Sequence, residues 1–208
     1  MSRCCPKCGE LVTNGGMELF SNQIPTGWIT TTPDKIYKMD FLYFVHSGNY
    51  SVAIMEDATL SQIVTDVVPK CCYEFSLFAK VFGYPFGMTA TVTFLTPCCE
   101  IVGGTIHAQS FSIIDYAFSN LRILTIPAPC CTTAARIDIY AEPIVVTAKN
   151  ANIAKSEINH PTNIENEGNS ENLLIPPILQ FPKYESLQQV NNNYYPALIV
   201  DDVSFALQ

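Results

Sequence analysis

The feature that most restricts the fold is a series of short β-type runs between Asn14 and about Thr147, with no convincing helical period among them. The runs are Phe41–His46, Tyr50–Glu56, Ser61–Val67, Cys72–Lys80, Thr89–Thr96, Leu121–Ile126 and Ala134–Tyr140. Turn signals separate them: Pro33-Asp34, Ser47-Gly48-Asn49, Gly83 to Gly87, Gly103-Gly104, and Pro127 with Pro129. Within the last run Ala135, Ile137 and Ile139 alternate with Arg136, Asp138 and Tyr140, which on a strand sends one set to a core and the other to solvent. Evenly spaced strands of this kind predict an all-β fold, an antiparallel β-sandwich of the jelly-roll type.

At 208 residues the chain suits one such domain with a large insertion or an added arm. Charged residues make up 14% of it and hydrophobic residues 48%, so part of the surface is expected to be covered by another copy. Net charge is −8 and the 11 Lys and Arg do not cluster, which argues against nucleic acid or anionic lipid as a partner. No apolar run is long enough to insert in a membrane, and MSRCCPKCGELVTNGG lacks the apolar stretch of a secretory signal. Composition shifts to Asn, Glu and Pro over 149–196, which reads as one long insertion before a last strand, Ala197–Ala206. Its apolar string LLIPPILQF is expected to lie over the sandwich or over a neighbouring subunit.

The nine cysteines are grouped: Cys4-Cys5 with Cys8, then the doublets Cys71-Cys72, Cys98-Cys99 and Cys130-Cys131. Neighbours on a strand face opposite ways, so one thiol of a doublet can serve the interior while the other is offered outward. An odd total leaves at least one sulfur without an internal partner, which suggests an intermolecular bond in an oxidising setting. A hairpin of Cys71–Lys80 and Thr89–Cys99 would set Cys72 opposite Cys98 and Cys71 opposite Cys99 at its open end, and Cys130-Cys131 joins that end if the intervening reversals are even in number. The segment CPKCG also matches one knuckle of a zinc ribbon, but a structural zinc needs four ligands and no second C-x2-C follows. Disulfides, zinc, and burial as small apolar residues all stay open for these sulfurs. Cytoplasmic synthesis with the cysteine usage of an oxidised exterior would be reconciled by release on lysis, so an extracellular location on a bacterial spore or cell surface is expected.

Two resemblances attach to these residues. An arm of the form X-Cys-Cys-X2-Cys, followed by a flexible stretch and a jelly roll, resembles the connector of endospore-appendage (Ena-type) pilus subunits. The resemblance implies a connector over 1–13 whose Cys4, Cys5 and Cys8 form disulfides with acceptors among Cys71, Cys72, Cys98, Cys99, Cys130 and Cys131 of other subunits. The body, from Asn14-Gly15-Gly16-Met17-Glu18 through Pro25-Thr26-Gly27-Trp28 and His46-Ser47-Gly48-Asn49-Tyr50-Ser51 to Asp201-Asp202-Val203-Ser204-Phe205, is similar to galactose-binding-like jelly rolls of the carbohydrate-binding-module kind. That likeness implies neighbouring first and last strands and a structural calcium held by Glu18 and Asp202 with backbone oxygens near Gly48 and Tyr50. It also implies an aromatic platform for a sugar ring, with Trp28 and Tyr84 as candidates beside Tyr37, Tyr43, Tyr194 and Tyr195, although aromatic residues also fill sandwich cores.

No catalytic constellation is present: His46, His107 and His160 lack partners at ligand spacing, and neither G-x-S-x-G nor a P-loop occurs. The chain is therefore expected not to be an enzyme and to need no cofactor apart from that calcium. The expected function is a subunit of a disulfide-cross-linked extracellular filament whose partners are other copies of itself. The alternative is a monomeric carbohydrate-binding surface module whose partner is a surface glycan.

Overall fold

A computed structural model of the chain describes residues 9–82, 86–98, 100–111, 117–143 and 197–207. Cys4, Cys5, Cys8, Tyr84, Cys99 and the insertion 149–196 lie outside the described residues. The strands in chain order are β1 (Phe20–Ser21), β2 (Ile24–Pro25), β3 (Ile36–Met39), β4 (Ser51–Met55), β5 (Ala58–Thr65), β6 (Tyr73–Phe82), β7 (Phe86–Leu95), β8 (Ile101–Phe111), β9 (Ser119–Leu124), β10 (Ala134–Pro143) and β11 (Ala197–Leu207). They form a four-stranded sheet ordered β5-β10-β7-β8, a five-stranded sheet ordered β3-β4-β11-β6-β9, and a small β1-β2 ribbon. Every pairing is antiparallel. No α-helix occurs among the described residues.

Two-residue alternation builds the sandwich. On β6, Tyr73, Phe75, Leu77, Ala79 and Val81 enter the core shared with the other sheet, where Met88, Ala90, Val92 and Phe94 of β7 and Ala135, Ile137 and Ile139 of β10 meet them. The intervening Glu74, Ser76, Phe78, Lys80 and Phe82 fall on the outer face of the five-stranded sheet. Trp28 is 4% exposed and donates from Nε1 to the Asn14 carbonyl, so this sugar-platform candidate is a core residue.

Three sequence expectations are corrected. Phe41–His46 is not a strand but a segment built on a short 3-10 turn, Leu42–Phe44, which covers part of that outer face. Gly103-Gly104 is not a turn but lies inside β8. A Cβ on Gly104 would stand 2.6 Å from the Val92 carbonyl oxygen, so this glycine marks a close backbone approach between strands. Finally, β6 and β7 do not form a hairpin. β6 is flanked by β11 and β9, and β7 by β10 and β8, so the chain crosses between sheets and Cys71 and Cys72 are not set opposite the 98–99 doublet by strand register.

Residues 10–13, expected to belong to a connector over 1–13, are joined to the sandwich. Beyond an irregularity between Asp201 and Ser204, β11 no longer pairs with β4, and its free edge is taken by residues 10 and 11. The Leu11 amide donates to the Phe205 carbonyl, Val12 is buried, and Thr13 exchanges two hydrogen bonds with the Gln62 side chain. Residues 10 and 11, near the start of the chain, are thus neighbours of the last strand.

Candidate functional site

The outer face of the five-stranded sheet carries the densest group of aromatic and polar side chains. His46 stacks on Phe78, ring centroids 3.6 Å apart and planes 15° apart, and Phe118 meets His46 edge-on at 5.3 Å. Pairing of Phe78 with Asn120 sets an exposed amide beside the rings, and Ser76 with Arg122 brings a guanidinium that pairs with Glu74. The upper part of the face is closed by the 3-10 turn. Phe44 packs edge-on against Phe82 and Tyr43, and Tyr43 in turn lies against Lys80, whose Nζ is 3.3 Å from its ring centroid.

Lys80 is 3% exposed and donates a hydrogen bond from Nζ to the Tyr43 carbonyl at 2.9 Å. No carboxylate forms an ion pair with it among the described residues. Burial pulls its ammonium group down to about 8, and contact with the Tyr43 ring replaces a counter-ion. The amine holds Tyr43, and with it the turn, against the sheet. What stays open to solvent is the half-exposed His46–Phe78–Phe118 group with Asn120, Arg122 and Glu74 along one side. Flat apolar faces next to amide, guanidinium and carboxylate groups can hold a ring that has apolar C–H faces and equatorial hydroxyls.

Carboxylates fasten the segment that carries His46. Asp201, fully buried, accepts from the His46, Ser47 and Asp202 amides; its burial pushes the carboxyl up to about 6, against the opposing pull of these amides. Asp202 accepts from Ser47 Oγ and lies 2.6 Å from His46 Nδ1. Glu18 accepts from the Asn49 and Tyr50 amides and from Asn49 Nδ2. Gly48, at φ +69°, passes so close that a Cβ there would stand 2.1 Å from Glu18 Oε1. The two calcium candidates thus grip one and the same loop, Glu18 at its end and Asp202 at its start. Both are occupied by protein donors, and no group of three metal-ligating side chains forms among the described residues. Calcium would have to share Glu18 with the Asn49 and Tyr50 amides, and Asp202 with Ser47 Oγ and His46 Nδ1.

Cysteines gather at one end of the sandwich, where β6 starts, β7 ends and β10 starts. The Ala128 amide donates to the Cys71 carbonyl, and Thr133 N donates to the Leu95 carbonyl, so the 130–131 turn sits between the two neighbouring doublets. This parity was open in the sequence. Cys71 is buried and disulfide-bonded, while Cys72, Cys98, Cys130 and Cys131 are free thiols, the last three exposed. Within that doublet Cys71 is buried and Cys72 half-exposed. Residue 10 pairs with Ala206 beside Glu74, near this same end.

Sequence reasoning had missed Lys80, Phe78, Phe118, Asn120 and Asp201. Alternation along Cys72–Lys80 would have put Phe78 and Lys80 on the face opposite Phe75 and Leu77; nothing local shows which side a loop then covers.

No protein-family profile matches the chain, and no curated protein matches it. Solved structures do match in fold. The carbohydrate-binding module TmCBM61, determined in complex with β-1,4-galactotriose, superposes with a TM-score of 0.57 at 12% identity over 97% of this chain and 100% of that one. The CBM22-1 xylan-binding domain of Paenibacillus barcinonensis Xyn10C gives 0.52 at 10% identity over 98% and 97%. The enzymatically active domain of tailspike protein 4 from bacteriophage CBA120 gives 0.55 at 11% identity over 96% of this chain, which spans only 21% of the tailspike chain. The chain has the jelly-roll β-sandwich architecture of carbohydrate-binding modules.

Proposed function

We propose that the protein is a non-catalytic glycan-binding module that acts at a bacterial spore or cell surface. The observation that carries this reading is the half-exposed His46–Phe78–Phe118 group with Asn120 beside it on one sheet face. Likeness in fold to modules solved with galactotriose or described as xylan-binding supports the same class of ligand, an extended oligosaccharide. Sugar rings would stack on Phe118 and the His46–Phe78 pair, with hydroxyls taken by Asn120, Arg122 and Glu74. A glycan array tests this. The parent chain is expected to bind a defined set of polysaccharides, and Phe118→Ala and Asn120→Ala each to weaken binding by about tenfold or more with the melting temperature kept. Absence of any bound glycan, or binding indifferent to both changes, contradicts the proposal.

A second reading rests on the thiols. We infer that exposed Cys98, Cys130 and Cys131 can join to cysteines of other copies, Cys4, Cys5 and Cys8 among them, to give a disulfide-linked homopolymer such as a surface filament. Each bond forms when two thiols pass two electrons and two protons to an oxidant such as dioxygen. Oxidised protein should run as a ladder on non-reducing denaturing electrophoresis, collapse to one band with reductant, and lose the ladder in a Cys98→Ser, Cys130→Ser, Cys131→Ser variant. A single monomer band from the oxidised parent refutes it.

A further inference from the structure

Four strands border the two sheets, and three of their outer edges are blocked or short. On β5, Ser61 exchanges two backbone hydrogen bonds with Ile29. On β3, the Lys38 amide is taken by the Gln23 side chain. β9 is six residues long and carries Arg122. The fourth, β8, is 11 residues long, pairs only with β7, and nothing among the described residues pairs with its other side. Its sequence, IVGGTIHAQSF, has no Lys, Arg, Asp, Glu or Pro, the residues that usually keep an edge from pairing. The one irregularity, between Phe94 and Leu95, affects only the start of the strand and leaves Gly103–Phe111 in regular register.

The flank of β8 is apolar as well. Ile106 is 71% exposed, and Ile101 and Val102 are exposed beside it. Leu124 and Ile126, next to β8 through a hydrogen bond from the Ile126 amide to Thr105 Oγ1, extend the patch onto the other sheet's border. A bare row of backbone donors and acceptors is matched along its whole length by another strand, so a β-strand is the occupant that fits it.

We propose that β8 is the interface of a homodimer, in which β8 of a second copy pairs with it antiparallel about a twofold axis. Full overlap of two Ile101–Phe111 strands centres the pairing on Ile106, which meets Ile106 of the second copy, with Gly104 opposite Ala108. The two four-stranded sheets then become one eight-stranded sheet, and the exposed isoleucines are covered. A second copy fits this edge on charge. The chain carries −8 overall, yet β8 carries no ionisable residue except His107, so two copies meet here without opposed carboxylates. The pairing edge belongs to the four-stranded sheet and the glycan face to the five-stranded one, and the two adjoin where Leu124 pairs with Glu74.

Light scattering coupled to size exclusion, with reductant present to exclude disulfides, tests it on the full chain. The parent is expected at twice the 23.0 kDa of one chain. Ile106→Lys and Ile106→Glu should each run as a monomer, because like charges then face each other across the axis, and an equimolar mixture should return to the doubled mass. Ile63→Lys, at another exposed site on β5, should stay dimeric. A misfolded variant could not regain the dimer on mixing, so that arm separates a lost interface from a lost fold. A monomeric parent, as when another segment of the same chain covers β8, overturns the proposal, and so does a dimeric Ile106→Lys or a mixture that stays monomeric.

Discussion

Gly15→Ala is expected to destabilise the domain by about 3 kcal/mol or more and to lower its melting temperature by about 10 °C. The new Cβ would stand 1.9 Å from the Val203 carbonyl oxygen and 3.1 Å from the carbonyl carbon, both backbone atoms of β11 that no rotamer change can move. It would also press on Val12 Cγ1 at 3.3 Å. Relief requires the 14–16 turn to lift away, which breaks the 2.9 Å hydrogen bond from the Val203 amide to the Gly15 carbonyl and uncovers Val12 and Met17. Gly16→Ala is the control. Its nearest contact would be Asp202 Oδ1 at 3.7 Å, an ordinary separation, so it should cost less than about 1 kcal/mol. Thermal unfolding of the two variants side by side checks the account, and equal melting temperatures would contradict it.

The second large effect is electrostatic. Lys80 titrates near 8 in the folded chain, against 10.5 for an unhindered lysine, because its burial disfavours the charge. Between those two values the unfolded chain keeps a proton that the folded chain has released, so this group's contribution to stability rises as pH climbs through the window. Below about 8 the full penalty is present. Lys80→Met keeps most of the volume and removes the charge, at the expense of the contact with the Tyr43 ring and carbonyl. It should therefore raise stability at neutral pH by about 2 kcal/mol, with the gain over the parent shrinking toward pH 10.5. Denaturant unfolding of both proteins across that range measures it. A gain that does not change with pH, or a loss at neutral pH, contradicts the assignment of a desolvated amine.

The β-sandwich was legible because its signal is local and repeated. Alternation in Ala134–Tyr140 and the turn residues between runs reflect the pleat itself, and the observed β10 keeps that alternation. Partner choice was not legible. Strands adjacent in sequence, β6 and β7, read as a hairpin, yet each has both edges filled by other strands, a choice set by the whole sheet. Gly103-Gly104 misled for a related reason, since glycine marks turns and close strand approaches alike. The loop network was half legible. Glu18, the 46–50 loop and Asp202 were drawn together from resemblance, but the fully buried Asp201, named in the same motif, was given no role although it makes the deeper contacts. Phe118 immediately precedes β9 and Asn120 lies at its start, both outside the run read as Leu121–Ile126, so the part of the candidate site they form had no sequence signal.

The most direct test of the central claim is to follow the backbone and side-chain NMR shifts of the labelled protein while the best-bound glycan of the array is added. The account predicts saturable shifts centred on His46, Phe78, Phe118 and Asn120, with the core indole of Trp28 unchanged. Shifts centred on the four-stranded sheet or on the cysteine-bearing end, with the His46–Phe118 group unaffected, would contradict it.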